Sequence, residues 1–436
     1  MCVGWPDPVA NALSRRSIAA AWSRLRSGAP GEAGYGHSIG LSIGLFVATF
    51  LLTRQTQIPL LNGLGAPWAL LVVIAFLRWR SALIWLVPMS LYGALSVLTS
   101  LLLGHDPGNA LRFFVITIGT LLAFHVKPIA ISAPLTLMPL AAQAALLIAI
   151  SVGLGLSQDD ELATLTRSFV LETTWGDIYS FDGIYYRVQL IGNALMPLLF
   201  LISLWRYKQG GFYRFMAVLS LLGVVAAGNL TYSLVAGIAI VIRGWRLALS
   251  TMVGRSLAAL ILVVAIVLAW NATNEMLERK FDGSDSSMGI RFDQVDVALD
   301  VWRQSPTRFL FGTGLGTSFP DGRERNYSEF QYIELQSLYL LVQLGLVGML
   351  IYLATLAIGA HLFLNADGRC VFWLYVLSGF TNPTILDANQ IIATVLLVCL
   401  FPRPPADLSS TSRGSLLSPT ATPPSRGPLR LPISKA

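Results

Sequence analysis

Apolar residues in this chain come in long runs separated by short polar breaks. The runs lie near 37–53, 58–77, 82–104, 110–126, 132–156, 188–205, 212–228, 230–242, 256–271, 334–362, 370–384 and 388–402. A helix needs about 20 residues to cross a bilayer, and runs of roughly 13 to 29 residues suit tilted or bent crossings. The pattern predicts an all-α fold, a polytopic transmembrane bundle of about twelve helices. The short alternating segments of a β-barrel are absent from it. Two polar stretches, 157–187 and 272–333, interrupt the series. The expected organisation is a basic N-terminal segment over 1–36, a transmembrane domain over 37–402, and a disordered tail over 403–436.

The longer polar stretch has a pattern of its own. In IRFDQVDVALDVWRQ, Phe292, Val295, Leu299 and Trp302 recur at helical spacing, beside Asp293, Asp296, Asp300 and Arg303. That period predicts an amphipathic helix ending at Ser305-Pro306. GTGLG over 312–316 lacks the G-x-G-x-x-G spacing of a dinucleotide loop. It reads as a tight turn beside the membrane, whose backbone at Gly314 could approach a ligand closely.

Composition sharpens the membrane reading. Charged residues make up 12% of the chain and hydrophobic ones 54%, against about 25% charged in soluble domains. The net charge of +7 is not a nucleic-acid signature, because no basic stripe interleaved with aromatics accompanies it. Instead Arg15, Arg16, Arg24, Arg26, Arg78, Arg80, Lys127, Arg206, Lys208, Arg214, Arg243, Arg246, Arg255, Arg369 and Arg403 fall on one side of the predicted bundle. The positive-inside rule makes that side cytoplasmic, with both termini there and 157–187 and 272–333 on the periplasmic side. Arg54 and Arg112 are the exceptions outside the two loops.

The apolar runs contain almost no ionisable residue, which argues against a transporter that moves ions or protons through the bundle. Cys2, Cys370 and Cys399 and the four histidines show no metal-ligand spacing, so no metal or other cofactor is expected. The chemistry available at the outer edge consists of arginines and carboxylates. Arginine's planar fork suits phosphate oxygens, and a carboxylate can take a proton from an attacking hydroxyl.

The order of motifs over roughly residues 180–360 resembles the Wzy-type O-antigen polymerase and ligase superfamily of bacterial inner membranes. The resemblance rests on Tyr185-Tyr186-Arg187-Val188-Gln189-Leu190-Ile191-Gly192-Asn193, Leu230-Thr231-Tyr232-Ser233 and Gly289-Ile290-Arg291. It continues through Ser305-Pro306, Phe311-Gly312-Thr313-Gly314-Leu315-Gly316, and Glu334 ahead of Leu344-Gly345-Leu346-Val347-Gly348. It implies a GT-C-like helical fold and a metal-independent glycosyltransferase that moves undecaprenyl-diphosphate-linked glycan onto an acceptor sugar. Membrane lipid, a flippase and a chain-length regulator are the implied company. Arg187 and Arg291 would meet the diphosphate, Glu334 would be the base or position the acceptor, and Asn193, Arg323, Arg325 and Gly314 would contact substrate. Ligases of the superfamily usually carry histidine where this chain has Glu334, which favours a polymerase over an O-antigen ligase. A polysaccharide or lipid transporter is the alternative of a different class.

Overall fold

The structure, a computed structural model, describes residues 33–53, 61, 63–173, 175–181, 185–248, 287–317, 319–320, 329–330, 335–380 and 387–404. All the elements below belong to the unit Pro30–Arg403. Among the described residues there are fourteen α-helices. In chain order they begin with α1 (Ala33–Leu52), α2 (Gly65–Ala75), α3 (Trp79–Leu102), α4 (Pro107–Ala123), α5 (Ala133–Ser157) and α6 (Asp160–Glu172). A hairpin of β1 (Gly176–Phe181) and β2 (Tyr185–Leu190) leads through a 3-10 turn, Ile191–Leu195, into α7 (Met196–Trp205). Then come α8 (Gly211–Ala227), α9 (Leu230–Ala248), α10 (Ser287–Arg303), α11 (Pro306–Phe311) and the two-residue strands β3 (Phe319–Pro320) and β4 (Glu329–Phe330). The series closes with α12 (Gln336–Phe363), α13 (Ala366–Gly379) and α14 (Ala388–Leu400).

Two of these, α5 and α12, are long and apolar enough to cross a bilayer unaided, and shorter apolar helices accompany them. The surface is that of a membrane protein. Leu91, Leu95, Leu98 and Leu102 form an exposed row along α3, and Leu156, Phe215, Val218 and Leu350 are exposed elsewhere. Thr49, Thr120, Gln143, Ser220, Gln343, Gln390 and Thr394 are meanwhile buried. Leucines facing outward around a core that is apolar but also holds hydroxyls and amides suit lipid as the surrounding solvent. The hydroxyls of Thr117, Thr120, Ser220 and Thr394 bond to carbonyls four residues back on their own helices, which satisfies them without water. Small residues bring helices together, as lipid-embedded packing favours. A Cβ on Gly223 of α8 would lie 3.0 Å from Ala144 of α5.

The connections gather at two ends. At one, the Arg78 N–H donates to His125 O at 2.9 Å and the Lys127 N–H to Phe76 O at 3.0 Å. Arg403 donates to His361 O at 2.6 Å, and Arg369 lies 2.9 Å from His361 Nδ1. Arg206 donates to Leu400 O and, at 3.1 Å, to the Tyr213 hydroxyl, while Arg243 donates to Trp205 O at 3.1 Å. Basic residues separated widely in sequence therefore share one end. The other end holds the C-terminus of α3, the N-terminus of α4 and the 312–317 loop: a Cβ on Gly314 would lie 2.7 Å from Ser100 N, and Gly316 packs against Ala110.

The hydropathy runs locate most helices, with two differences. The expected span 188–205 is helical over α7 alone, ten residues; its first part is strand and 3-10 turn. The polar stretch 157–187 forms a helix and a hairpin, so the fold is mostly but not wholly α. The expected amphipathic helix is present as α10, and Ser305 then caps α11 by accepting from the Arg308 N–H at 3.2 Å. The expected span 256–271, nearly all of segment 1–36 and nearly all of the tail lie outside the described residues.

Candidate functional site

The hairpin alternates in and out, as strands with one buried face do. Ile178, Tyr186 and Val188 are buried against the bundle. Ser151 of α5 donates to Tyr186 O at 2.7 Å, which seats β2 along the C-terminal half of that helix. The other face carries Asp177, Tyr179, Arg187 and Gln189, with Tyr179 directly opposite Arg187 and Asp177 opposite Gln189. With its amide oxygen turned toward the guanidinium, Gln189 accepts from Arg187 Nε at 3.0 Å. The Arg187 Cζ also lies 5.7 Å from the Tyr179 ring centroid.

Helix α6 adds a second arginine. Asp159 caps its N-terminus, accepting from the Glu161 and Leu162 N–H groups at 2.9 and 3.2 Å. Two turns on, Arg167 grips Asp177 through Nε at 2.8 Å and Nη2 at 3.2 Å. Burial pushes the Asp177 carboxyl up, but hydrogen bonds from Arg167, the Tyr179 hydroxyl and the Ile178 N–H outweigh it and hold the carboxyl below its ordinary value. Burial first, and then the Asp177 carboxylate, push the Tyr179 hydroxyl up, so it stays a donor at neutral pH. Because the Asp177 value is depressed, the folded state gains from this carboxylate above the ordinary carboxylate range and loses that gain as pH falls through the lowered value.

Below the hairpin the chain turns inward. Asn193 is buried, donates to Val188 O at 2.8 Å and accepts from Gln143 Nε2 at 3.3 Å. Gln143 lies near the middle of α5, so the 3-10 turn carries polar groups well below the end of that helix. Tyr375 of α13 donates to Ala194 O at 3.3 Å. Tyr232 of α9 lies within electrostatic reach of both Arg187 and Asp387. Asp387 caps α14, accepting from the Ala388 N–H and from Asn389 Nδ2, each at 2.6 Å.

The 312–317 loop has a different character. Helix α12 breaks at Gly345, whose φ of 67° and ψ of 179° remove the next turn of its backbone ladder. Carbonyls left open are taken up by the loop: the Thr313 N–H donates to Val342 O at 2.9 Å and the Gly314 N–H to Gln343 O at 3.1 Å. The Gly316 N–H donates to Gln343 Oε1 at 3.0 Å, and the Tyr92 hydroxyl donates to Leu344 O. Gly312, Gly314 and Gly316 all have positive φ, which glycine adopts without strain. Gly314 is thus buried, with its N–H engaged inside the protein.

Residues 192–353 match the family model Wzy_C, described as O-antigen ligase. The region runs from the 3-10 turn into α12 and supports a protein of the O-antigen ligase and polymerase type, in polysaccharide biosynthesis at a membrane. It includes Asn193, Gly314, Arg291, Arg323, Arg325 and Glu334, and it excludes Arg187 and Asp387. No curated protein matches the chain significantly. Relative to this O-antigen ligase region, the hairpin precedes its first residue in the chain and α14 follows its last.

The structure brings Arg187 to one end of the bundle on the hairpin and, through the 3-10 turn, Asn193 below it against the middle of α5. Arg291 falls in the second turn of α10, and its side chain lies outside the described residues. Glu334, Arg323 and Arg325 also lie outside them, Glu334 immediately before Leu335, the N-cap of α12. Sequence reading missed Arg167, Asp177, Tyr179 and Asp387. Asp182-Gly183 between two alternating runs is a hairpin signal that could have found the first three. An aspartate just ahead of the apolar run of α14 is a helix-start signal that could have found the last.

Proposed function

We propose that the chain is a polysaccharide polymerase working at the periplasmic face of the bacterial inner membrane. The observation that carries this reading is the seating of Arg187 on the hairpin just ahead of the O-antigen ligase region, at the end of the bundle away from the shared basic residues. In this reading the acceptor hydroxyl attacks the anomeric carbon of an undecaprenyl-diphosphate-linked glycan. The bond from that carbon to the diphosphate oxygen breaks, a carboxylate takes the hydroxyl proton, and the lipid diphosphate leaves with the bonding pair. Arg187 and Arg291 stabilise the charge growing on the diphosphate, and Glu334 is the base or holds the acceptor. Arg323, Arg325 and Asn193 contact the saccharide or phosphate. Gly314 works through its backbone, fixing the loop ahead of Glu334. The arginines supply the positive charge, so the transfer needs no metal. Polymerase is preferred to ligase because Glu334 stands where ligases of the superfamily usually carry histidine.

The deciding experiment removes the chain from its host and inspects the glycan. A polymerase defect leaves single repeat units on the final acceptor. A ligase defect leaves long lipid-linked polymer that is never transferred, and a transporter defect leaves lipid-linked units on the cytoplasmic side. Either of the last two results overturns the reading.

Orientation has its own check. The shared end of Arg78, Lys127, Arg206, Arg243, Arg369 and Arg403 is the cytoplasmic one by the positive-inside rule. Reporter fusions after Asp282 should behave as periplasmic and those after Arg246 as cytoplasmic. The reverse pattern would put the site on the wrong side for a lipid-linked donor.

A further inference from the structure

Two arginines share one tyrosine ring on the hairpin. The Arg167 Cζ lies 5.6 Å and the Arg187 Cζ 5.7 Å from the Tyr179 ring centroid. One comes from α6, the other from the strand position directly opposite Tyr179. Asp177, two residues before Tyr179 on the same face, is bound by Arg167 through both oxygens. It also accepts from the Tyr179 hydroxyl. All of this precedes residue 192, where the family match begins.

We propose that Tyr179 is a positioning residue for Arg187, working beside Gln189 to present its guanidinium to the diphosphate of the lipid-linked donor while Arg167 and Asp177 hold the ring in place. The inference rests on the reading of Arg187 given under the proposed function. An arginine that meets phosphate must be held, because its long side chain otherwise samples many rotamers. A carboxylate could hold it, but would also compete with the phosphate for its charge. An aromatic face attracts the guanidinium through the ring quadrupole and leaves the positive charge in place. Asp177, the carboxylate on the same face of the hairpin, is engaged by Arg167. Arg167 thus neutralises the acid, the acid fixes the tyrosine, and the tyrosine orients Arg187.

The test is a mutant cycle in a strain lacking the native chain, scored as polymer made per unit of protein in the membrane. Tyr179→Leu removes the ring face and should lower polymer at least tenfold at normal abundance. Tyr179→Phe keeps the ring, loses only the hydroxyl bond to Asp177, and should retain most of the activity. The double variant Tyr179→Leu with Arg187→Lys should be no worse than Arg187→Lys alone, because a positioning residue has nothing left to position. Normal polymer from Tyr179→Leu, a further loss in the double variant, or failure of phenylalanine to rescue would each overturn the inference. So would disappearance of the leucine variant from the membrane, which would assign the ring to folding. Normal polymer from Arg187→Lys alone would instead sink the role given to Arg187.

Discussion

Replacing Arg187 with lysine is expected to reduce polymer synthesis about 10²- to 10³-fold while leaving the protein in the membrane, the scale seen when one fixed donor is removed from a site of developing negative charge. Lysine keeps the charge and loses the planar fork that can meet two phosphate oxygens at once. It also loses the flat face that lies over Tyr179. Folding should tolerate the change, because Arg187 is only partly buried and sits on the outward face of the hairpin. Glu334→Gln should cause a comparable loss by removing a proton acceptor at almost constant volume. Ladder length measured alongside membrane abundance checks both. If both variants build normal ladders at normal abundance, the assigned site is wrong.

Gly345→Ala should act in the opposite way, removing the protein rather than slowing it. At φ 67° and ψ 179° an alanine is strained, by about 1–3 kcal/mol from the backbone alone. Its Cβ would also overlap Gly312 N and the Leu310 carbonyl. Relief would require the 312–317 loop to leave α12, which would orphan the carbonyls of Val342 and Gln343. Membrane abundance and the melting temperature of purified protein should both fall. Gly237→Ala is the control: nothing lies within 4 Å of the added Cβ, and the residue is in the helix α9. That variant should be at least as abundant and as heat-stable as the parent, since alanine favours a helix interior over glycine.

The sequence made the apolar helices legible because lipid imposes length and composition on each one independently. The runs 82–104, 132–156 and 212–228 agree with α3, α5 and α8 to within a few residues. The run 188–205 misled for a related reason. Val188 and Leu190 are as apolar as a span requires, but they alternate with Arg187 and Gln189, and a sliding window averages that alternation away. Arg187 and Asn193 could be named from local motifs. The ring between Arg187 and Arg167 could not, since it depends on a helix and a strand pair meeting across a turn. Gly314 shows the limit of a motif. Three glycines in five residues read as a tight turn, and only the break at Gly345 reveals the partner that the Gly314 and Gly316 N–H groups meet.

The short helix α7 has a consequence for how two unlike substrates could reach one another. Ten helical residues rise about 15 Å, roughly half of a hydrocarbon layer of about 30 Å. The remaining depth beside α5 is occupied by β2 and the 3-10 turn, with Asn193 level with the middle of α5. In the proposed orientation this carries strand backbone and the buried Asn193 below the surface of the outer leaflet. A donor anchored by its tail would not have to be hoisted out of the bilayer. The sugar would have to descend to meet it.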